Sequence, residues 1–146
     1  DGYAEVIVWA VAGGGLNVRA FDGRTNAVVR DFFAFSPGFT GGVNVAAGDL
    51  NADGKTDLLL GTAGGGSTVS ILDGASGATT VSINPFPGSA AGVRVAVNEL
   101  TGDKVSDAIV ATGVGVPSRI RVVRADGSIG LDFSPFGGFT GGVYIG

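Results

Sequence analysis

Nine consecutive residues, Asp49-Leu50-Asn51-Ala52-Asp53-Gly54-Lys55-Thr56-Asp57, concentrate the oxygen chemistry of this 146-residue chain. Side-chain oxygens stand at the first, third, fifth and ninth places, and Gly54 stands at the sixth. Ca²⁺ takes six to eight hard oxygen ligands at about 2.3–2.6 Å. Alternate residues of a tight loop can turn such oxygens inward together. Gly54 permits the sharp turn, and the main-chain carbonyl of Lys55 can fill the seventh place. An ion held by Asp49, Asn51, Asp53, Lys55 and Asp57 would neutralise carboxylates that otherwise repel one another. It would also tie the loop to the apolar run Leu58-Leu59-Leu60. The plainer reading is that Asp, Asn and Gly gather here because they make turns. The complete ligand spacing favours the metal. An EF-hand fits less well, because Leu60 stands at the twelfth place and no helical pattern flanks the loop.

A second copy of the loop is degenerate. Glu99, Thr101, Asp103, the Val105 carbonyl and Asp107 fall in register with the first set. Glu replaces Asp at the first place, Thr replaces Asn at the third, and Lys104 replaces Gly at the sixth. On ligand count the loop can still hold Ca²⁺. Loss of the glycine should spoil the turn, and the Lys104 ammonium can compensate the acids without a metal. Of a third copy only Asp1 and Glu5 are present, so it would need ligands from a neighbouring chain.

Other chemistries are poorly supplied. The chain has no Cys, Met or His. That removes disulfides, thiolate zinc sites, His-based triads and the usual acid–base residue near neutral pH. A hydrolase built on paired carboxylates needs acids facing each other across a cleft, whereas these acids share one turn. A net charge of −4 argues against nucleic acid. No apolar run approaches the roughly 18 residues of a membrane span. Gly13-Gly14-Gly15 and Gly64-Gly65-Gly66 lack the Lys-Ser/Thr and helix of a phosphate loop. Phe32, Phe33, Phe35, Phe39, Phe133, Phe136, Phe139 and Trp9 could form a carbohydrate-stacking platform. Packing between neighbouring sheets is the favoured use, because aromatics dominate core burial. Arg119, Arg121 and Arg124 make a small basic strand, read as edge protection or a contact to an acidic neighbour.

Self-comparison shows what must position the loops. Gly42-Val43-Asn44-Val45-Ala46-Ala47 recurs as Gly92-Val93-Arg94-Val95-Ala96-Val97 and begins again at Gly142-Val143-Tyr144-Ile145-Gly146. Asp53 and Asp57 recur as Asp103 and Asp107, all at an offset of 50. One repeat reads as four short strands: Val43–Asp49, Asp57–Leu60, Thr68–Leu72 and Ala78–Asn84. β-branched runs broken by Gly, Pro and Asp-Gly are strand signals. Asp22-Gly23, Asp73-Gly74 and Asp126-Gly127 occupy matching places and suit tight two-residue hairpins with positive φ. The predicted fold is all-β: tandem four-stranded antiparallel blades of about 50 residues, of the β-propeller type. The approximate repeats are 1–52, 53–102 and 103–146. The chain should open on the second strand of a blade and end on a lone first strand, Gly142 to Gly146. About three blades are too few to close a ring. Completion by other blades or chains is expected, because unclosed edges invite pairing.

The loop at 49–57, Phe39-Thr40-Gly41-Gly42-Val43 and Gly61-Thr62-Ala63-Gly64 together resemble the FG-GAP repeat of integrin α-subunit propellers and secreted repetitive bacterial proteins of the planctomycete kind. Pro is absent where that family has Gly-Ala-Pro. The resemblance implies a propeller blade with Ca²⁺ in the hairpin between its first two strands, held by Asp49, Asn51, Asp53, Lys55 and Asp57. The degenerate loop 99–107 leaves uniform metal loading open. The expected function is a non-enzymatic, secreted or cell-surface structural or adhesive module, stabilised by calcium and self-associating through its terminal strands into a ring or filament. A carbohydrate-binding propeller is the alternative, with a glycan or cell-surface ligand as partner.

Overall fold

The computed structural model describes residues 5–11, 13 and 17–146. Among them lie eleven strands and no helix. The first sheet holds β1 (Glu5–Trp9), β2 (Asn17–Asp22) and β3 (Val28–Phe33). The second holds β4 (Val43–Gly48), β5 (Asp57–Thr62), β6 (Val69–Leu72) and β7 (Thr79–Ile83). The third holds β8 (Val93–Asn98), β9 (Asp107–Thr112), β10 (Ile120–Val123) and β11 (Ile129–Phe133). Each sheet pairs its strands antiparallel in chain order. This is the meander of tandem propeller-like blades, at the spacing the repeat predicts.

Stacking explains the apolar composition. In the seam between the first and second sheets, Val18 meets Val43, Leu58 and Leu60. In the next seam, Leu59, Val69, Ile71 and Val81 meet Val93, Ala108, Val110 and Val123. Strand β5 is buried along its whole length, as a strand covered on both faces should be, so it reads as a continuous apolar run. The half-buried Phe32, Phe35 and Phe39 join the first of these clusters, with the Phe35 and Phe39 rings edge to face at 5.6 Å. Trp9, Phe33, Phe133, Phe136 and Phe139 remain exposed.

The glycine runs join one blade to the next. Gly65 donates its amide to the Ala90 carbonyl, Gly115 does the same to Thr140, and Gly13 to Thr40. A side chain on Gly92 would collide with the Ala63 carbonyl. Backbone of adjacent blades thus runs in contact here, and at Gly92 only glycine leaves the room.

Two expectations are corrected. Residues Gly142 to Gly146 form no strand. Val143 is buried and donates its amide to the Thr112 carbonyl at 3.3 Å, but a strand also needs a ladder partner. β4 and β8 have theirs in β5 and β9; among the described residues, 142–146 pair with no strand. The Asp-Gly pairs differ as well. Asp22 and Asp73 open longer loops, in which Asn26 and Gly77 take the positive φ, at 57° and 75°. Each aspartate accepts hydrogen bonds from the hydroxyl and amide of a residue three places on, Thr25 or Ser76. Those bonds, the hydroxyl foremost, hold both carboxyls below their ordinary pKa. Only Gly127 of the three glycines has positive φ.

Candidate metal centre

The loop joining β4 to β5 is laid out by its own side chains. Asp49 accepts the amides of Asp53 and Gly54 at 3.2 and 2.9 Å, and that of Asn51 at 3.4 Å. The Asn51 carbonyl oxygen accepts the Asp53 amide at 3.0 Å, and Asp53 accepts the Lys55 amide at 2.8 Å. Ala52 and Gly54 adopt left-handed φ of 64° and 79°. Residues 51–56 are exposed, so an ion could reach the loop from solvent.

Asp57 behaves differently from the other acids. It is buried, and its two oxygens accept the backbone amides of Leu50 at 2.9 Å and Gly74 at 2.8 Å. Charge-assisted bonds of this kind offset much of the cost of burying a carboxylate. Through these two bonds Asp57 itself ties the loop to the sheet. Gly74 is required for it: a side chain there would strike the Thr56 carbonyl. That close approach, and not turn geometry, explains the glycine after Asp73. The Asn51 amide then donates to Asp73 at 2.9 Å. Asp73 thereby becomes a fourth acid beside the loop, which the linear spacing did not reveal. The signal is the pairing of Leu58 with Leu72, which sets residues 57 and 73 side by side.

The loop joining β8 to β9 keeps the same plan with weaker parts. Glu99 accepts the amides of Thr101 and Gly102 at 2.8 and 2.5 Å, and the Thr101 hydroxyl points to the same carboxylate at 3.5 Å. Asp103 accepts the Val105 amide at 2.8 Å. Asp107 accepts the Leu100 amide at 2.9 Å. The expected loss of turn geometry does not occur: Lys104 takes a left-handed φ of 69°. Asp1 lies outside the described residues, and Glu5 begins β1 on an exposed position.

The donor set of loop 49–57 fits a hard cation, since every candidate atom is oxygen. Asp49, Asp53 and Asp57 have no ion-pair partner among the described residues; the ion pairs there join Arg19 to Asp31 and Arg119 and Arg121 to Asp132. The oxygens are not gathered in advance. Among the described residues, no three acidic side chains converge as a metal-holding group. Arg119, just before β10, and Arg121, within it, both meet an acidic neighbour, Asp132 on β11.

The blade that carries the complete loop is the one that known families recognise. Residues 41–83 match the FG-GAP repeat. The match begins two residues before β4 and ends on the last residue of β7, so the FG-GAP repeat coincides with the second sheet. The third sheet repeats the topology of the FG-GAP blade with the altered loop. Neither a curated protein nor a solved structure matches the chain. No helix of the described residues is long and apolar enough to cross a membrane.

Proposed function

We propose that this chain is a non-enzymatic extracellular repeat module, structural or adhesive, stabilised by calcium and self-associating into a ring or filament. The observation that carries it is the FG-GAP blade with an all-oxygen loop whose three acids have no ion-pair partner among the described residues. FG-GAP repeats are typically extracellular or cell-surface and generally non-catalytic, which supports the setting and the lack of enzymatic activity. Asp49, Asn51, Asp53, the Lys55 carbonyl and Asp57 would hold Ca²⁺, with Asp57 also bracing the loop through the Leu50 and Gly74 amides. Glu99, Thr101, Asp103, Val105 and Asp107 would form a weaker site. Self-association is supported by the outer faces of the first and third sheets, which expose large apolar side chains.

Thermal melting in calcium and in chelator tests the metal. An ion that binds only the folded state adds RT ln(1 + [L]/Kd) to stability, so calcium should raise the melting temperature. Asp53→Ala should abolish most of the rise, and Asp103→Ala a smaller part. An identical melting curve in calcium and chelator would remove calcium from the proposal.

A further inference from the structure

The seam between the second and third sheets has a specific polar lock. Arg121 and Asp132 are cross-strand partners on β10 and β11, ion-paired at 3.0 Å. The Arg121 guanidinium lies 5.4 Å from the centre of the Phe86 ring and donates to the Pro85 carbonyl. Pro85 and Phe86 belong to the linker that leaves the second sheet. The seam between the first and second sheets lacks this lock. There the equivalent cross-strand pair is Ser70 with Ser82. The residue 50 places before Phe86 is Ser36. Seams of this chain therefore come in two kinds: Arg–Asp against Pro-Phe, and Ser–Ser against a linker with Ser in place of Phe.

The two outer faces carry the two halves of the first kind. On the first sheet, Arg19 and Asp31 are cross-strand partners ion-paired at 3.0 Å. They alternate with the buried Val18 and Ala20 and face away from the second sheet, half-exposed. On the third sheet, the outgoing linker places Pro135-Phe136 where the second has Pro85-Phe86. Phe136 is 63% exposed, whereas Phe86 is 6% exposed. Leu100 is 49% exposed, whereas its counterpart Leu50, buried in the inner seam, is 4% exposed. Among the described residues, no blade covers either face.

We propose that the outer face of the first sheet docks on the outgoing face of the third sheet in a second copy of this chain. Arg19, braced by Asp31, stacks on Phe136 of that copy and donates to its Pro135 carbonyl, and Leu100 is buried at the same junction. The proposal rests on the self-association reading and gives it an address. A second copy is the occupant because the exposed halves are complementary and match an interface already built within the chain. Two copies joined at both ends make six blades, within the usual propeller range of four to eight. Junctions that do not close make a fibre.

Sedimentation across a dilution series, with complementation, tests it. Wild-type chain should associate. Arg19→Ser and Phe136→Ser should each weaken association about tenfold or more, the scale of a desolvated cation–π contact with a charged hydrogen bond. Each variant keeps one intact face, so an equimolar mixture should form a 1:1 heterodimer that neither forms alone; a misfolded variant could not do this. Association of wild type that both variants retain would place the interface elsewhere, overturning this inference while self-association stands. Variants that stay monomeric when mixed would overturn it too. A monomeric wild type would overturn both, as when further blades of a longer chain cover these faces, and would leave the calcium test standing.

Discussion

In loop 49–57 the left-handed positions fall on Ala52 and Gly54; in loop 99–107 they fall on Gly102 and Lys104. The backbone path is shared, yet glycine has changed places, Glu stands for Asp and Thr for Asn. A turn that survives such exchange is not maintained by its ligand set. It is maintained by the hairpin it closes and by carboxylates that cap its own amides. Both loops carry three acids that cap amides of the turn, Asp49, Asp53 and Asp57 in one and Glu99, Asp103 and Asp107 in the other. Below the loops the contrast continues. Asp57 holds two backbone amides, one from the neighbouring turn. Asp107 holds the Leu100 amide, and the strand register, in which Val123 faces Ala108 as Leu72 faces Leu58, puts Ala125 and not Gly127 where the second sheet has Gly74.

Removing the two bracing acids should separate the blades most clearly. Asp57→Ala leaves one buried and one part-buried amide without acceptors and should cost about 3 kcal/mol, at about 1–3 kcal/mol for each orphaned group. Asp107→Ala should cost about 1 kcal/mol, since it frees one amide at an exposed place. Urea denaturation measures both, and equal losses would mean that the Gly74 bond contributes nothing. Exchanging the sixth-place residues should give opposite signs. Lys104→Gly relieves a left-handed non-glycine residue and should stabilise by roughly 0.5–1 kcal/mol, while Gly54→Lys should destabilise by a similar amount. Destabilisation by Lys104→Gly would show that the Lys104 side chain does more than fill the turn.

The smallest effect lies in acid. The second sheet has Ser70–Ser82 where the third has Arg121–Asp132. Hydrogen bonds from Arg119 and then Arg121 lower the Asp132 pKa from 3.8 to about 2. A depressed folded pKa favours the folded state above the unfolded value, and the contribution disappears as pH falls from about 4 through about 2. Wild type should therefore lose slightly more stability over this window than Asp132→Asn, measured by urea midpoint against pH. Parallel curves would mean that the exposed ion pair carries no net stability.

The repeat period, the strands and the oxygen-rich loop were all legible in one dimension, because each is a matter of spacing along the chain. Alternation marked β4, the unbroken run Leu58-Leu59-Leu60 marked the strand buried on both faces, and equal offsets linked Asp53 with Asp103. Three things were not legible. Asp22-Gly23 and Asp73-Gly74 satisfy the rule for a tight hairpin, but side-chain capping three residues on makes a longer loop equally satisfied locally. Residues 142–146 have the sequence of a first strand, yet among the described residues no strand pairs with them. The use of Asp57 depends on Gly74, which approaches only when β5 and β6 pair.

The amino-acid order by itself determined that short strands recur about every fifty residues, and which oxygens share one turn. Both follow from local chemistry: alternation, chain-breaking residues and ligand spacing act between near neighbours. Tertiary structure decided which acid reaches the neighbouring turn, and which seams carry Arg–Asp against Pro-Phe. Those outcomes rest on pairs such as Arg121 and Phe86, 35 positions apart, whose meeting depends on how blades stack.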